Sequence, residues 1–160
     1  HSMLDKILEG YVSSRIGGGE HTSGDPIPRY VYHCRPNKTT VLLFSGKSKH
    51  GKTTNSAKIA KAADKWFSLD YTVTIFRQGE NTSAFADFTR AHCDIKNLEP
   101  FYHLIDAHGF TEQYVSLIDR LIAPTDNLVV IEGYMTDPQR KALADKLRTK
   151  ASFWEATRRG

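Results

Sequence analysis

Short apolar runs alternate along the chain with longer segments in which apolar residues recur at helical spacing. Residues 41–44, 72–76 and 128–131 are uninterrupted apolar or β-branched runs, which is typical of strands buried on both faces of a sheet. Two further strands are predicted at 30–34 and 152–156. Strands that alternate with helices favour an α/β fold with a parallel sheet.

The predicted helices lie between these strands. The clearest period covers 112–122, where apolar residues stand at i, i+3, i+4, i+7 and i+8 from Tyr114. Thr111 is predicted to cap this helix, and Gly109 to stop the one before it. Further helices are predicted at 52–67, as short segments within 82–108, and at 137–150, where Asp137 would be the cap before Pro138. With helices on both faces of the sheet, the expected architecture has three layers.

The N-terminal residues differ in character from the rest. His1 and Ser2 before Met3 are interpreted as a tag remnant, followed by a short helix at 3–12 and a Gly-rich loop. Residues 1–29 are therefore set apart from a single domain at 30–160, and the loop-rich start leaves open that this domain belongs to a larger protein.

The composition narrows the class of protein. A chain of 160 residues with a net charge of +4 fits one domain with a basic surface, which suits a phosphate-rich ligand and leaves nucleic acid open as a less favoured partner. There is no apolar run of membrane-spanning length and no signal peptide, and Cys34 and Cys93 have no C-x-x-C partner. A cytoplasmic protein with reduced thiols is expected.

Residues 46–53 match the pattern G-x-x-x-x-G-K-[ST] at every fixed position, directly after a predicted strand and before a predicted helix. The glycines allow the backbone N–H groups to surround phosphate oxygens, and the helix N-terminus adds its positive end. Lys52 would reach the β- and γ-phosphates, and the Thr53 hydroxyl would ligate Mg²⁺. The predicted nucleotide site consists of Gly46, Lys47, Ser48, Lys49, His50, Gly51, Lys52, Thr53 and Thr54.

On these residues the chain resembles the P-loop NTPase superfamily over about residues 40–157. Within it, the chain is most similar to the small-molecule kinases, such as adenylylsulfate kinase, gluconate kinase and the zeta-toxin-like kinases. The resemblance implies transfer of the γ-phosphoryl group of Mg-ATP to a hydroxyl of a small acceptor. It also implies a carboxylate near Mg²⁺ at the end of the strand at 128–131, where this chain has Glu132 in place of the more common Asp.

The same relatives often carry an aspartate pair and an arginine just after the second strand, for acceptor binding and proton transfer. After the strand predicted at 72–76, this chain has Arg77 and Glu80 instead. Glu80 is therefore the predicted proton acceptor, with Arg77 and Arg90 as predicted acceptor-binding residues.

Several functions remain open on the sequence alone. The relatives' arginine-rich lid is not evident, and a guanine-reading N-K-x-D is absent from its expected place, which favours ATP over GTP. The alternatives are an NTP-hydrolysing switch, a polynucleotide 5′-kinase and a non-catalytic nucleotide-binding module. The oligomeric state and the acceptor are not specified.

Overall fold

The computed structural model describes residues 39–45 and 63–157. The N-terminal segment, the strand predicted at 30–34, the nucleotide motif and most of the helix predicted at 52–67 lie outside the described residues.

The described strands form one parallel sheet. They are β1 (Thr39–Ser45), β2 (Lys65–Ser68), β3 (Leu128–Gly133) and β4 (Ala151–Thr157), in the order β2-β3-β1-β4. Every residue of β1 and β3 is buried, as expected for central strands covered on both faces. The α/β class and the strands predicted at 41–44, 128–131 and 152–156 are confirmed.

Five helices occur in the described part of the chain. They are α1 (Leu69–Gln78), α2 (Ala84–His92), α3 (Glu99–Ala107), α4 (Thr111–Arg120) and α5 (Asp137–Leu147). They confirm the short helices predicted within 82–108 and the helices predicted at 112–122 and 137–150. The stop at Gly109 is confirmed as well, since its φ of 79° lies in the region that favours glycine. None of the described helices has the length and apolar character needed to cross a bilayer.

The strand predicted at 72–76 is wrong, because these residues belong to α1. Their β-branched side chains favoured a strand, but the buried positions of α1 recur at helical spacing, and the Ser68 side chain caps the helix by accepting a hydrogen bond from the Tyr71 N–H. The second strand is instead β2, which precedes α1 directly. The helix predicted at 52–67 therefore cannot extend to Phe67.

Two predicted caps are also wrong. Phe110 occupies the N-cap position of α4 without a side-chain hydrogen bond, while the Thr111 hydroxyl donates to Asp106 Oδ1 at 2.6 Å. At α5 the cap is Thr136 rather than Asp137, and it forms a reciprocal capping box with Gln139.

The core divides into two clusters on opposite faces of the sheet. The larger contains Val41 and Leu43 together with residues from all five described helices. The smaller contains Leu42, Phe44 and Val130. The connections β2–β3 and β3–β4 both advance in the same direction across the sheet, so right-handed crossovers place their helices on one face. Helices on the other face remain a prediction, since the β1–β2 connection lies largely outside the described residues.

Candidate functional site

The carboxyl ends of β1 and β3 lie side by side, with Ser45 opposite Gly133 and Phe44 opposite Glu132. The chain leaves β1 toward β2 and leaves β3 toward β4, in opposite directions across the sheet. In open parallel sheets, ligands bind at the carboxyl edge where neighbouring connections diverge in this way. Gly46, the first residue of the nucleotide motif, follows Ser45 directly in the sequence. The motif itself lies outside the described residues.

Glu132 is the buried acidic residue at this edge, with 7% of its surface exposed. In the sheet it pairs with Phe44 on one side and with Ser68 on the other. A carboxylate is costly to bury without polar or charged partners. Its register with Phe44 places Glu132 beside the end of β1, where the nucleotide motif begins in the sequence.

Gly133 allows α1 to approach the end of β3 closely. Its φ is 148°, and a Cβ built on it would lie 2.7 Å from the Cβ of Leu69. No larger residue fits between the strand end and the first turn of α1 without a shift of backbone or core. The close approach brings Asp70, the second residue of α1, to the same edge of the sheet.

Asp70 is a second carboxylate at this edge, and it was not among the residues predicted from the sequence. With the second strand at Lys65–Ser68, the carboxylate that follows it is Asp70 and not Glu80. The signal was present as Ser68-Leu69-Asp70, a capping serine followed by an acidic residue in the first helical turn. Because the β-branched residues after it were predicted as a strand, the first carboxylate after the second strand was predicted as Glu80.

The Asp70 carboxylate is held by Tyr102 of α3. The Tyr102 hydroxyl donates to Asp70 Oδ1 at 2.6 Å, and the tyrosine is 1% exposed. Burial, the largest cause, raises the pKa of Tyr102 well above its ordinary value, and the nearby Tyr114 and Asp70 raise it further. The phenol therefore stays protonated and acts as the donor of this hydrogen bond.

A cavity of about 660 Å³ opens between α3 and the segment that joins β3 to α5, and its wall includes Tyr134, whose ring packs against that of Tyr102. Tyr134 Oη and His103 Nε2 lie 3.0 Å apart on its wall. The Arg140 guanidinium bonds to the Asp137 carboxylate and lies 3.8 Å from Glu155. The lining residues are His103, Asp106, Ala107, Tyr134, Met135, Thr136, Asp137, Pro138 and Arg140. An open groove of this size, lined by both polar and apolar residues, can hold a small molecule.

Asp106 lines the groove and accepts hydrogen bonds from neighbouring helices. Its carboxylate accepts hydrogen bonds from Thr111 at 2.6 Å, Thr136 at 2.6 Å and Gln139 at 3.2 Å. These three donors belong to α4, to the cap of α5 and to α5 itself. Asp106 therefore ties three helices together, and its two oxygens are occupied by this structural role.

The structure does not group the other predicted acceptor residues with Glu132. Glu80 lies beyond the end of α1, which has ten residues. This helix spans on the order of 15 Å, and it separates Glu80 from the edge of the sheet. Arg90 donates to the carbonyl oxygens of Gly79 and Asn81 and to Asp87, contacts that hold the loop between α1 and α2. Arg77, in the last turn of α1, lowers the pKa of the buried Cys93 thiol, which burial raises more strongly.

Within the described ranges, no group of three or more His, Cys, Asp or Glu residues is arranged to hold a metal ion. The predicted Mg²⁺ ligands are Thr53, outside those ranges, and Glu132. Their joint role stays a prediction.

No family model, curated protein or solved structure matches this chain. The interpretation of the site therefore depends on its own residues and on the sheet that carries them.

Proposed function

We propose that this protein is an ATP-dependent phosphotransferase, which moves the γ-phosphoryl group of Mg-ATP to a hydroxyl of a small-molecule acceptor. The observation that carries the proposal is the register of β1 and β3. It brings Glu132 beside Phe44, two residues before a complete phosphate-binding motif, at the sheet edge where α/β proteins bind ligands.

In this proposal the nucleotide is held by the loop at 46–53. The backbone N–H groups and Lys52 neutralise the phosphates, and Thr53 ligates Mg²⁺. Glu132 binds the ion through its water shell, because its buried carboxylate lies in the strand next to β1. Phosphoryl transfer needs little covalent chemistry from the protein, so positioning and charge neutralisation supply most of the catalysis.

The acceptor half of the site is proposed around Asp70 and the groove. Asp70 takes the role first predicted for Glu80, since it follows the second strand and lies at the same edge as Glu132. The groove lined by His103 and Tyr134 would hold the body of the acceptor. Its cationic residue, Arg140, is already paired with carboxylates. This pairing favours a neutral, hydroxylated acceptor over an anionic one.

The test is transfer of label from γ-³²P-ATP with Mg²⁺ to a panel of sugars, polyols, nucleosides and a 5′-hydroxyl oligonucleotide. Wild type should label a small neutral compound, and Lys52→Ala should reduce the rate by at least about 100-fold. Lys141→Ala is the matched control, because it removes the same side chain from an exposed position on α5.

The outcome also separates the alternatives. Release of inorganic phosphate with no labelled compound would replace the proposal by an NTP-hydrolysing switch. Labelling of the oligonucleotide alone would indicate a polynucleotide kinase.

A further inference from the structure

The contact between Tyr102 and Asp70 joins two elements that are far apart in the sequence. The hydrogen bond of 2.6 Å links α3 to the first turn of α1. Asp70 is exposed, whereas Tyr102 is almost completely buried. One carboxylate oxygen of an otherwise accessible side chain is therefore fixed by a donor that comes from the core.

The donor itself has little freedom. The Tyr102 ring packs against the rings of Tyr114 and Tyr134, with centroids 5.9 and 6.2 Å away. Its backbone carbonyl accepts a hydrogen bond of 2.8 Å from Nε2 of the fully buried Gln139. Gln139 also completes the capping box of α5. One of these neighbours, Tyr134, also lines the groove.

We propose that Tyr102 is a positioning residue, which holds Asp70 Oδ1 so that Oδ2 faces the acceptor hydroxyl. This inference rests on the proposed function. The acceptor oxygen forms a bond to the γ-phosphorus, the bond from that phosphorus to the β–γ bridging oxygen breaks, and its electron pair leaves with ADP. The acceptor proton passes to Oδ2 of Asp70, while Tyr102 keeps its own proton throughout.

The test is a double-mutant cycle of Tyr102→Phe and Asp70→Asn. The kinetic readout is transfer from Mg-ATP to the panel compound that reacts. Tyr102→Phe should lower kcat by about 10- to 100-fold, as expected for losing one hydrogen bond to a charged group. The Kd for Mg-ATP should not change. Because Tyr102 acts through Asp70, the double variant should be no slower than Asp70→Asn alone.

Tyr114→Phe is the matched control. It removes a hydroxyl from a fully buried tyrosine next to Tyr102 and leaves the two atoms of the hydrogen bond from Tyr102 to Asp70 in place. Its kcat should equal that of wild type. Urea unfolding of each variant precedes the kinetics, and Phe keeps the ring that fills the core at each position.

Two failures can be told apart. If wild type phosphorylates a panel compound but Tyr102→Phe is as fast, or if the two substitutions reduce kcat independently, the positioning role is refuted and the proposed function stands. If wild type binds Mg-ATP but phosphorylates no panel compound, the proposed function falls and the role of Tyr102 falls with it.

Discussion

Replacing Gly133 by alanine tests how closely α1 approaches the end of β3. A Cβ at this position would lie 2.7 Å from the Leu69 Cβ, whereas carbon atoms in favourable contact are about 3.5–4.0 Å apart. Neither atom is at the end of a flexible side chain, so the backbone of β3 or α1 must move. The substitution therefore acts on the site itself as well as on stability.

Two effects of Gly133→Ala each lower the free energy of unfolding, and they add. A residue with a side chain at a φ of 148° carries strain of about 1–3 kcal/mol. Overpacking against Leu69 adds about 1–3 kcal/mol, which gives a loss of about 2–6 kcal/mol in the free energy of unfolding. That is a large share of the roughly 5–15 kcal/mol that stabilises a typical domain.

Two other glycines separate these costs. Gly109 has a φ of 79° with no atom within 4 Å of a built Cβ, so Gly109→Ala carries only backbone strain, about 1–2 kcal/mol. Gly79 has an ordinary φ of −72°, and its built Cβ meets the movable amide of Asn81. Gly79→Ala should therefore change stability by less than about 1 kcal/mol.

The assay is urea unfolding of the three variants, followed by circular dichroism and fitted with a common m-value. The expected order of destabilisation is Gly133 first, then Gly109, then Gly79. The unfolded-state effect of glycine to alanine is shared by all three and cancels in the differences. A loss at Gly133 no greater than that at Gly109 would refute the close packing of Leu69 on the strand end.

Three further predictions follow from the described contacts. Glu132→Gln should leave ATP binding without metal unchanged but lower Mg²⁺-dependent turnover by at least about 10-fold, measured across a Mg²⁺ titration; an unchanged Mg²⁺ dependence would contradict its role. Gln139→Ala should lower the free energy of unfolding by about 2–4 kcal/mol, since it breaks the capping box and a buried hydrogen bond to Tyr102. Gln113→Ala, at an exposed position, should cause little loss, and equal losses in the two variants would contradict the account. Folding raises the pKa of Cys93 from its ordinary 9.0. The unfolded chain therefore releases that proton first, and the free energy of unfolding should fall as the pH rises above about 9. Cys93→Ala should flatten this fall, and an unaltered pH profile of stability would refute the prediction.

The two central strands, β1 and β3, could be predicted from the sequence because both are fully buried. Their runs at 41–44 and 128–131 are continuous and apolar, which is typical of strands covered on both faces. Glu132 was predicted from the resemblance to small-molecule kinases, and the structure places it in the buried last residues of β3.

The second strand and Asp70 could not be predicted because local preference and tertiary packing disagree there. Residues 72–75 are β-branched and favour a strand by intrinsic preference. The structure buries Leu69, Thr72, Val73 and Phe76 on one helical face instead. The strand that precedes them, Lys65–Ser68, is short and half-polar, and only its pairing with β3 identifies it. The misplaced strand is the reason that Glu80, and not Asp70, was predicted as the carboxylate after the second strand.

The hydrogen bond from Tyr102 to Asp70 could not be predicted from the sequence either, because the two residues are 32 positions apart. Nothing in the sequence of α3 shows whether Tyr102 only fills the core or also donates a hydrogen bond. The distinction requires the contact between α3 and the first turn of α1.

Calorimetric titration of Mg-ATP into wild type, Lys52→Ala and Lys141→Ala tests the central claim most directly. The account predicts binding by wild type and by Lys141→Ala with the same affinity, and a loss of at least about 10-fold in Lys52→Ala, since the ammonium group that contacts the phosphates is gone. No binding of Mg-ATP by folded wild type, or equal affinity in Lys52→Ala, would contradict the assignment of residues 46–53 as a nucleotide site.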